Sequence, residues 1–358
     1  MKKKVWFLAG LMLVLALCIG LAGCGSGSGG TEQTAGQEEE KVLNVFNWSE
    51  YLPQEVIDNF QEETGIKVNY TTFSSQEEMI AKIEAGGADY DVIVPTNYTV
   101  EGLVQRDMLR KLDLSKIPHI QDIGPEYLDQ AFDPGNQYTV PYMAGTTSIC
   151  VNTDKVKKEI TSWNDLWDPA FKNQIVLLDD PRDIIGMTLM SMGYSVNDND
   201  PAVLDKAKDK LKELVPLVKA FDSDSPKTLF ISNEVSIGVI YNGEAALAME
   251  ENPNITYVYP KEGCIRWMDT MAIPKDARHP NNAHQFIDYI LSPEAGAKIA
   301  EAFPYAVPSK EAYKLLPESK RNNIASYAPD DALKNGEFEN DLGETAVLYD
   351  QIWSEIKM

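Results

Sequence analysis

Cysteine, histidine and basic charge are all scarce in this chain. Four cysteines and three histidines occur in 358 residues. No cysteine stands with His119, His279 or His284 at a spacing that would build a metal centre. A Gly-x-Ser-x-Gly nucleophile elbow and a zinc-protease helix signature are also missing. Lysine and arginine together number 32 against 55 aspartates and glutamates, a net charge of −23. Nucleic acid is thereby excluded as a partner, since phosphate neutralisation needs a basic face. The acidic excess instead repels anions and concentrates cations near the surface.

Long apolar runs are absent too, except at the N-terminus. Lys2, Lys3 and Lys4 precede an uncharged, mostly apolar stretch from Val5 to Ala22, which ends in Leu21-Ala22-Gly23-Cys24. The stretch approaches the ~20 residues of a membrane span. Small residues directly before a cysteine, followed by Gly25-Ser26-Gly27-Ser28-Gly29-Gly30, instead describe a bacterial lipoprotein signal over residues 1–23, with Cys24 as the lipidation site. Residues 24–40 then read as a flexible tether, too poor in apolar surface to order themselves. Without the signal, 29 basic residues face 55 acidic ones, a net −26. Cys18 lies in the signal, so the folded part holds only Cys150 and Cys264. Spacing alone leaves open whether these two are bonded or are separate half-buried thiols.

About 318 residues remain from Lys41 onward, enough for two domains with separate cores. Short apolar runs alternate there with amphipathic helices. Val42–Trp48, Ile66–Phe73 and Tyr90–Pro95 read as strands, with helices around Val56, Met79 and Val100 between and after them. A second series follows: strands at 147–151, 174–178, 235–241, 255–259 and 265–273, and helices starting at Pro181 and Pro201 and near Glu244, Ala283 and Glu294. A last helix is expected over 342–356. This is the rhythm of parallel strands with crossover helices, an α/β fold.

In open sheets of this kind ligands collect beyond the carboxyl ends of the strands. The residues just after each apolar run are Trp48-Ser49-Glu50-Tyr51, Thr96-Asn97-Tyr98, Asp179-Asp180-Pro181-Arg182-Asp183, Tyr241-Asn242-Gly243-Glu244 and Trp267-Met268-Asp269, with Tyr305 further on. Aromatic rings and carboxylates recur together. Aromatic faces attract ammonium groups and carboxylates accept their N–H bonds, so a linear amine with methylene spacers uses both. Each element alone has a plainer reading: Asp180 followed by Pro181 is a good helix start, and Glu244 a solvated helix residue. It is the repetition after several apolar runs that points to a site.

From about Val42 onward the chain resembles the spermidine/putrescine-binding proteins of polyamine ABC importers. The resemblance is carried by Asn47-Trp48-Ser49-Glu50-Tyr51, Glu63-Thr64-Gly65-Ile66-Lys67-Val68, Tyr90-Asp91-Val92-Ile93-Val94-Pro95, Pro260-Lys261-Glu262-Gly263, Trp267-Met268-Asp269, Ile273-Pro274 and 335–341. It implies a type II periplasmic-binding-protein fold of two lobes, each a mixed sheet flanked by helices, with the ligand cleft between them. The lobes are expected to comprise 41–144 with 268–314, and 145–267 with 315–358. Carried over, Trp48, Tyr51, Tyr98, Trp267 and Tyr305 would box the ligand. Asp180, Asp183 and Asp269 would pair with its nitrogens, and Ser49 and Thr96 would supply oxygen contacts.

Tyr241 stands where the spermidine receptors usually have Trp, Asp183 where they have Glu, and Glu339 where they have Gln. Glu339 would favour an additional ammonium, hence spermidine. Glu244 falls where putrescine receptors can carry an acid, and would shorten the site. The resemblance further implies no catalysis and no cofactor and an ABC-transporter permease as partner, and the export signal with Cys24 adds a lipid-anchored location outside the cytoplasm. Two other classes fit the same residues: a cation-sensing lipoprotein receptor, and a glycoside hydrolase built on two cleft carboxylates.

Overall fold

The computed structural model describes residues 39–86 and 89–357. The expected export signal, Cys24 and most of the tether lie outside them. Strand β1 (Val42–Trp48) leads into helix α1 (Gln54–Thr64), whose Val56, Ile57 and Phe60 form one buried face. The helix stops at Gly65, which adopts φ 68° and donates its N–H to Gln61 O. Only glycine takes that left-handed cap without strain. β2 (Lys67–Phe73) follows, then α2 (Gln76–Glu84), started by the Ser75 hydroxyl accepting the Glu78 N–H.

β3 (Val92–Ile93) is shorter than the Tyr90–Pro95 run suggested. One reason lies in Asp91, whose carboxylate accepts the Asn44 N–H at 2.9 Å and the His279 N–H at 2.8 Å. α3 (Asn97–Gln105) comes next, and after a run of 3-10 turns β4 (Thr139–Asn152) extends over 14 residues. β5 (Ile175–Leu177) precedes α4 (Pro181–Ser191) and α5 (Pro201–Leu214), both opened by an aspartate N-cap with proline behind it. The aspartate satisfies free N–H groups and the proline presets the first helical turn.

The chain continues through β6 (Val218–Phe221), the short α6 (Lys227–Ile231), β7 (Ile237–Tyr241), α7 (Asn242–Glu251), β8 (Ile255–Val258) and β9 (Ile265–Ala272). Helices α8 (Pro280–Leu291) and α9 (Pro293–Ala302), three short helices (Lys310–Leu315, Glu318–Arg321 and Asp330–Leu333), the two-residue β10 (Glu337–Phe338) and a final helix Ala346–Lys357 complete it. The final helix starts later than Leu342, because Gly343 turns the chain at φ 53° and a 3-10 turn intervenes.

The ten strands of the described residues share one sheet in the order β2-β1-β3-β9-β4-β7-β5-β6, with β10 beside β9 and β8 beside β4. The outer strands pair in parallel, as the β–α rhythm predicts. The centre is antiparallel: β4 pairs β9, β7 and β8, and β3 pairs β9. Two cores flank this centre. Leu43, Val45, Phe60, Met143, Ile273, Phe286 and Ile299 build the first. Ile149, Trp163, Leu177, Ile184, Leu211, Ile237, Ile265 and Trp353 build the second. The change of core falls between Met143 and Ile149 on β4 and between Ile265 and Trp267 on β9. The fold is therefore α/β with two halves, joined because two long strands pass from one core to the other.

Cys150 and Cys264 are both buried free thiols. Burial pushes the Cys264 thiol up to about 11 and the Cys150 thiol higher still, so both stay protonated and unreactive at neutral pH.

Candidate functional site

Where the two halves meet, loops and helix starts from both surround a cavity of about 930 Å³, part of it open to solvent. All fourteen residues singled out from the sequence line it: Trp48, Ser49, Glu50, Tyr51, Thr96, Tyr98, Asp180, Asp183, Tyr241, Glu244, Trp267, Asp269, Tyr305 and Glu339. β1 and β3 deliver the first six from their carboxyl ends. Thr96, Asp180 and Tyr241 are the N-caps of α3, α4 and α7, so three helix N-termini open on the cavity. Their partial positive charge would suit an anion. Nine carboxylates among the lining residues outweigh it, and the lining includes no lysine or arginine.

Asp269 is 5% exposed and sits at the middle of β9. The Tyr51 hydroxyl donates to its Oδ2 at 2.6 Å and the Thr96 hydroxyl to its Oδ1 at 2.5 Å. Burial raises the Asp269 carboxyl to about 6, with those two hydrogen bonds opposing the rise. Tyr51 is itself fixed from behind, because the Tyr142 hydroxyl donates to the Tyr51 carbonyl at 2.5 Å.

A second acidic group comes from the start of α4 and the segment after β10. Asp180 caps α4 by accepting the N–H groups of Arg182 and Asp183. Burial lifts its carboxyl to about 6, helped by the charge of Glu77. Burial, with Glu339 and Asp180 as neighbours, holds Asp183 well above the usual carboxylate range. Glu339 is pushed up to about 7 by burial against the pull of Arg182. Arg182 reaches the group only as a long ion pair, its Nε 3.9 Å from Glu339 Oε1 with no hydrogen bond between them. The Arg182 Nη2 instead donates to Asn340 O and Asn197 Oδ1. Asp183 Oδ1 and Glu339 Oε1 are buried acceptors with no protein hydrogen-bond partner. Such groups are costly unless something fills them.

Asn97 holds the segments in register. Its Nδ2 donates to the Glu339 carbonyl at 2.5 Å while its Oδ1 accepts the Met268 N–H at 3.0 Å.

The aromatic side chains form a connected wall. Trp267 meets Tyr305 with ring centroids 5.4 Å apart and Tyr241 at 5.9 Å, and Tyr305 meets Tyr51 at 5.3 Å, all edge to face. Trp48 leans on Phe73 at 4.6 Å. Gly145, opposite Trp267 in the β4–β9 ladder, makes room for that indole: a β-carbon there would lie 2.3 Å from Trp267 Cζ2. Gly145→Ala is expected to lower stability by about 1–3 kcal/mol, the usual cost of overpacking. Thermal unfolding measures it, and an unchanged melting temperature would mean the indole can step aside.

Sequence reasoning missed several lining residues: Phe73, Ser74, Ser75, Glu77, Asp179, Pro181, Ser223 and Asp224. Phe73 ends an apolar run and Ser74 and Ser75 follow it, so the same rule would have found all three. Asp179 and Pro181 flank Asp180 in the sequence, on either side of the α4 N-cap. Ser223 and Asp224 follow β6, four residues too short and too exposed to announce themselves as a strand. Lys227, which bonds Glu50 and Glu244, carries no sequence signal at all. Among the described residues, no three of His, Cys, Asp and Glu are grouped to hold a metal ion, despite the number of acids.

Comparison with known proteins agrees with this architecture. The bacterial extracellular solute-binding protein family matches residues 55–326. The spermidine/putrescine-binding periplasmic protein of Escherichia coli K12 is 39% identical over 323 residues, 89% of this chain and 92% of that one. A solved structure from Listeria monocytogenes has 40% identity and a TM-score of 0.86, over 89% of this chain and 99% of the other. The spermidine/putrescine ABC transporter substrate-binding protein of Streptococcus pneumoniae has 39% identity and a TM-score of 0.77 over the same shares. This chain therefore belongs to the bacterial extracellular solute-binding proteins, in the group that contains the spermidine/putrescine-binding periplasmic proteins.

Proposed function

We propose that this chain is an extracytoplasmic receptor for linear polyamines, spermidine and putrescine among them, which it delivers to the permease of an ABC importer. One observation carries the reading: nine carboxylates and seven aromatic rings line a single cavity whose lining has no lysine or arginine. A polyammonium guest supplies the missing positive charge. Its methylenes lie against Trp48, Tyr51, Tyr98, Tyr241, Trp267 and Tyr305, whose ring faces also attract the ammonium groups.

Asp269 pairs with one nitrogen, and the group of Asp180, Asp183 and Glu339 with another. Ser49 and Thr96 add oxygen contacts. An ammonium group buried without a partner costs several kcal/mol. A ligand with the wrong spacing between nitrogens strands one of them, and this is how the cleft discriminates. The two lobes, 41–144 with 268–314 and 145–267 with 315–358, rotate about the crossing strands to close on the ligand, a hinge motion common to two-lobed receptors. The protein binds and releases its ligand unchanged, so no residue is assigned a catalytic role. A lipid on Cys24 holds it at the outer face of the cytoplasmic membrane or in the periplasm, with the Gly/Ser-rich tether giving it reach.

Isothermal titration of the purified protein with spermidine, putrescine and a neutral sugar tests the reading. Heat is expected with the amines alone, and tight binding of the sugar with indifference to both amines would overturn it. Trp267→Ala is expected to weaken amine binding by more than ~1 kcal/mol through loss of a ring face. The same titration reads that loss.

A further inference from the structure

Lys227, the first residue of α6, reaches the rim of the cleft. Its ammonium group donates to both oxygens of Glu244, at 2.9 and 3.1 Å, and to Glu50 Oε2 at 3.0 Å. Glu244 belongs to α7 and its side chain is 7% exposed, while the Lys227 side chain is 17% exposed. Glu50 comes from the turn after β1, on the other half of the molecule. Both acids line the cavity; Lys227 does not. Glu50 adopts φ 47°, a left-handed conformation that strains a non-glycine residue and persists only where the surroundings dictate it. The bonding is that of an amine in its receptor: one ammonium, two carboxylates, an aromatic side chain close by in Tyr305, whose hydroxyl Glu244 influences electrostatically.

We infer that Lys227 is a specificity-determining residue, whose tethered ammonium group fills an ammonium position formed by Glu50 and Glu244 and so closes that end of the cleft to the ligand. The inference rests on the polyamine reading and deepens it. Three acidic positions surround the cavity: Asp269, the group of Asp180, Asp183 and Glu339, and the pair of Glu50 and Glu244. Arg182 stands 3.9 Å from Glu339 in the second without hydrogen-bonding it; among the described residues, the third alone of these has its carboxylates hydrogen-bonded by a cation of the protein. A free amine competing for Glu244 would have to displace a group held in place by its own chain, at an effective concentration of roughly millimolar or above. The wild-type cleft therefore offers two positions to a ligand. Glu244, which the sequence suggested as a contact for the distal amine, is satisfied internally.

Removing the Lys227 charge leaves a nearly buried carboxylate unpaired, and such a group either takes up a proton or recruits another cation. A triamine gains a third contact in that variant, whereas a diamine spanning the other two positions does not. The experiment is titration of wild type, K227M and the double variant K227M/E244Q with spermidine and with putrescine at pH 7.5. The ratio of spermidine to putrescine affinity is expected to rise roughly tenfold or more in K227M, within the range measured for close charge pairs, and to return toward the wild-type ratio when Glu244 is also neutralised. Should K227M not fold, K227Q keeps a hydrogen-bond donor without the charge and is expected to move the ratio in the same direction. A ratio unchanged from wild type overturns the role of Lys227 while leaving the polyamine reading intact. Wild-type protein that binds neither amine overturns both.

Discussion

Asp269→Asn is expected to reduce spermidine affinity by at least thirtyfold while leaving the unliganded protein as stable as wild type, or more so. The carboxylate is buried and is oriented by the Tyr51 and Thr96 hydroxyls at 2.6 and 2.5 Å. Removing one member of a buried, hydrogen-bonded charge pair costs about 2–5 kcal/mol, because the partner is left desolvated and uncompensated. In the unliganded cleft the same carboxylate is a liability, since burial alone lifts it to about 6. The isosteric amide removes that penalty. Titration calorimetry and thermal unfolding read the two effects separately. Equal affinity in variant and wild type would remove Asp269 from the site, and a collapse of the melting temperature would assign it to the fold instead.

Acidification is expected to weaken amine binding across pH 7.5 to 5.5. Glu339 is raised to about 7, and Asp180 and Asp269 to about 6, in each case chiefly by burial. An ammonium ligand needs these groups ionised. Below their folded-state values each must release its proton on binding, and affinity falls by roughly tenfold per pH unit for each proton displaced. For the unliganded fold the sign is opposite. Carboxyl groups raised in the folded state hold protons that the unfolded chain has lost, so the stability they contribute is complete below about pH 4 and disappears as pH rises through 6 to 7. The unliganded melting temperature should therefore be higher at pH 5.5 than at 7.5 on their account. The gain on adding spermidine should be larger at 7.5. Titrations at pH 6.5 in two buffers of different ionisation enthalpy count the protons released, and a count of zero would contradict the assignment.

Much of the site was legible because strand ends and helix starts leave local signatures. Asp180-Pro181 announced the start of α4 by its capping chemistry, and the same Asp180 faces the cavity. β1 was read over Val42–Trp48, where it stands. Reading the positions after apolar runs then brought out Trp48 to Tyr51, Thr96, Tyr98 and Tyr241. The same rule singled out Trp267 and Asp269, although they lie within β9 rather than after it; their expected roles, like those of the others, came from the resemblance to polyamine receptors. The antiparallel centre was less legible. β4 is buried almost throughout its 14 residues yet mixes Thr, Ser, Gly and Pro with its apolar side chains, so neither an alternation nor an unbroken apolar run marks its length or its partners' direction. Lys227 was invisible because an exposed-looking lysine after a proline has no periodicity to betray it.

Local chemistry in the sequence determined the elements, their caps, the acidic and aromatic character of the loops, and the scarcity of basic groups that could have neutralised them. Only the tertiary structure decided which carboxylates remain free. Asp269 and Glu244 are both acids on apolar elements, but β9 sets Asp269 among hydroxyls that orient its charge, and α6 sets an ammonium group on Glu244 that cancels it. The difference arises from distances between segments remote in the chain, 17 residues for Lys227 with Glu244 and 177 for Lys227 with Glu50. Electrostatic energy depends on those separations and on the water excluded around them, and neither is written in the order of residues.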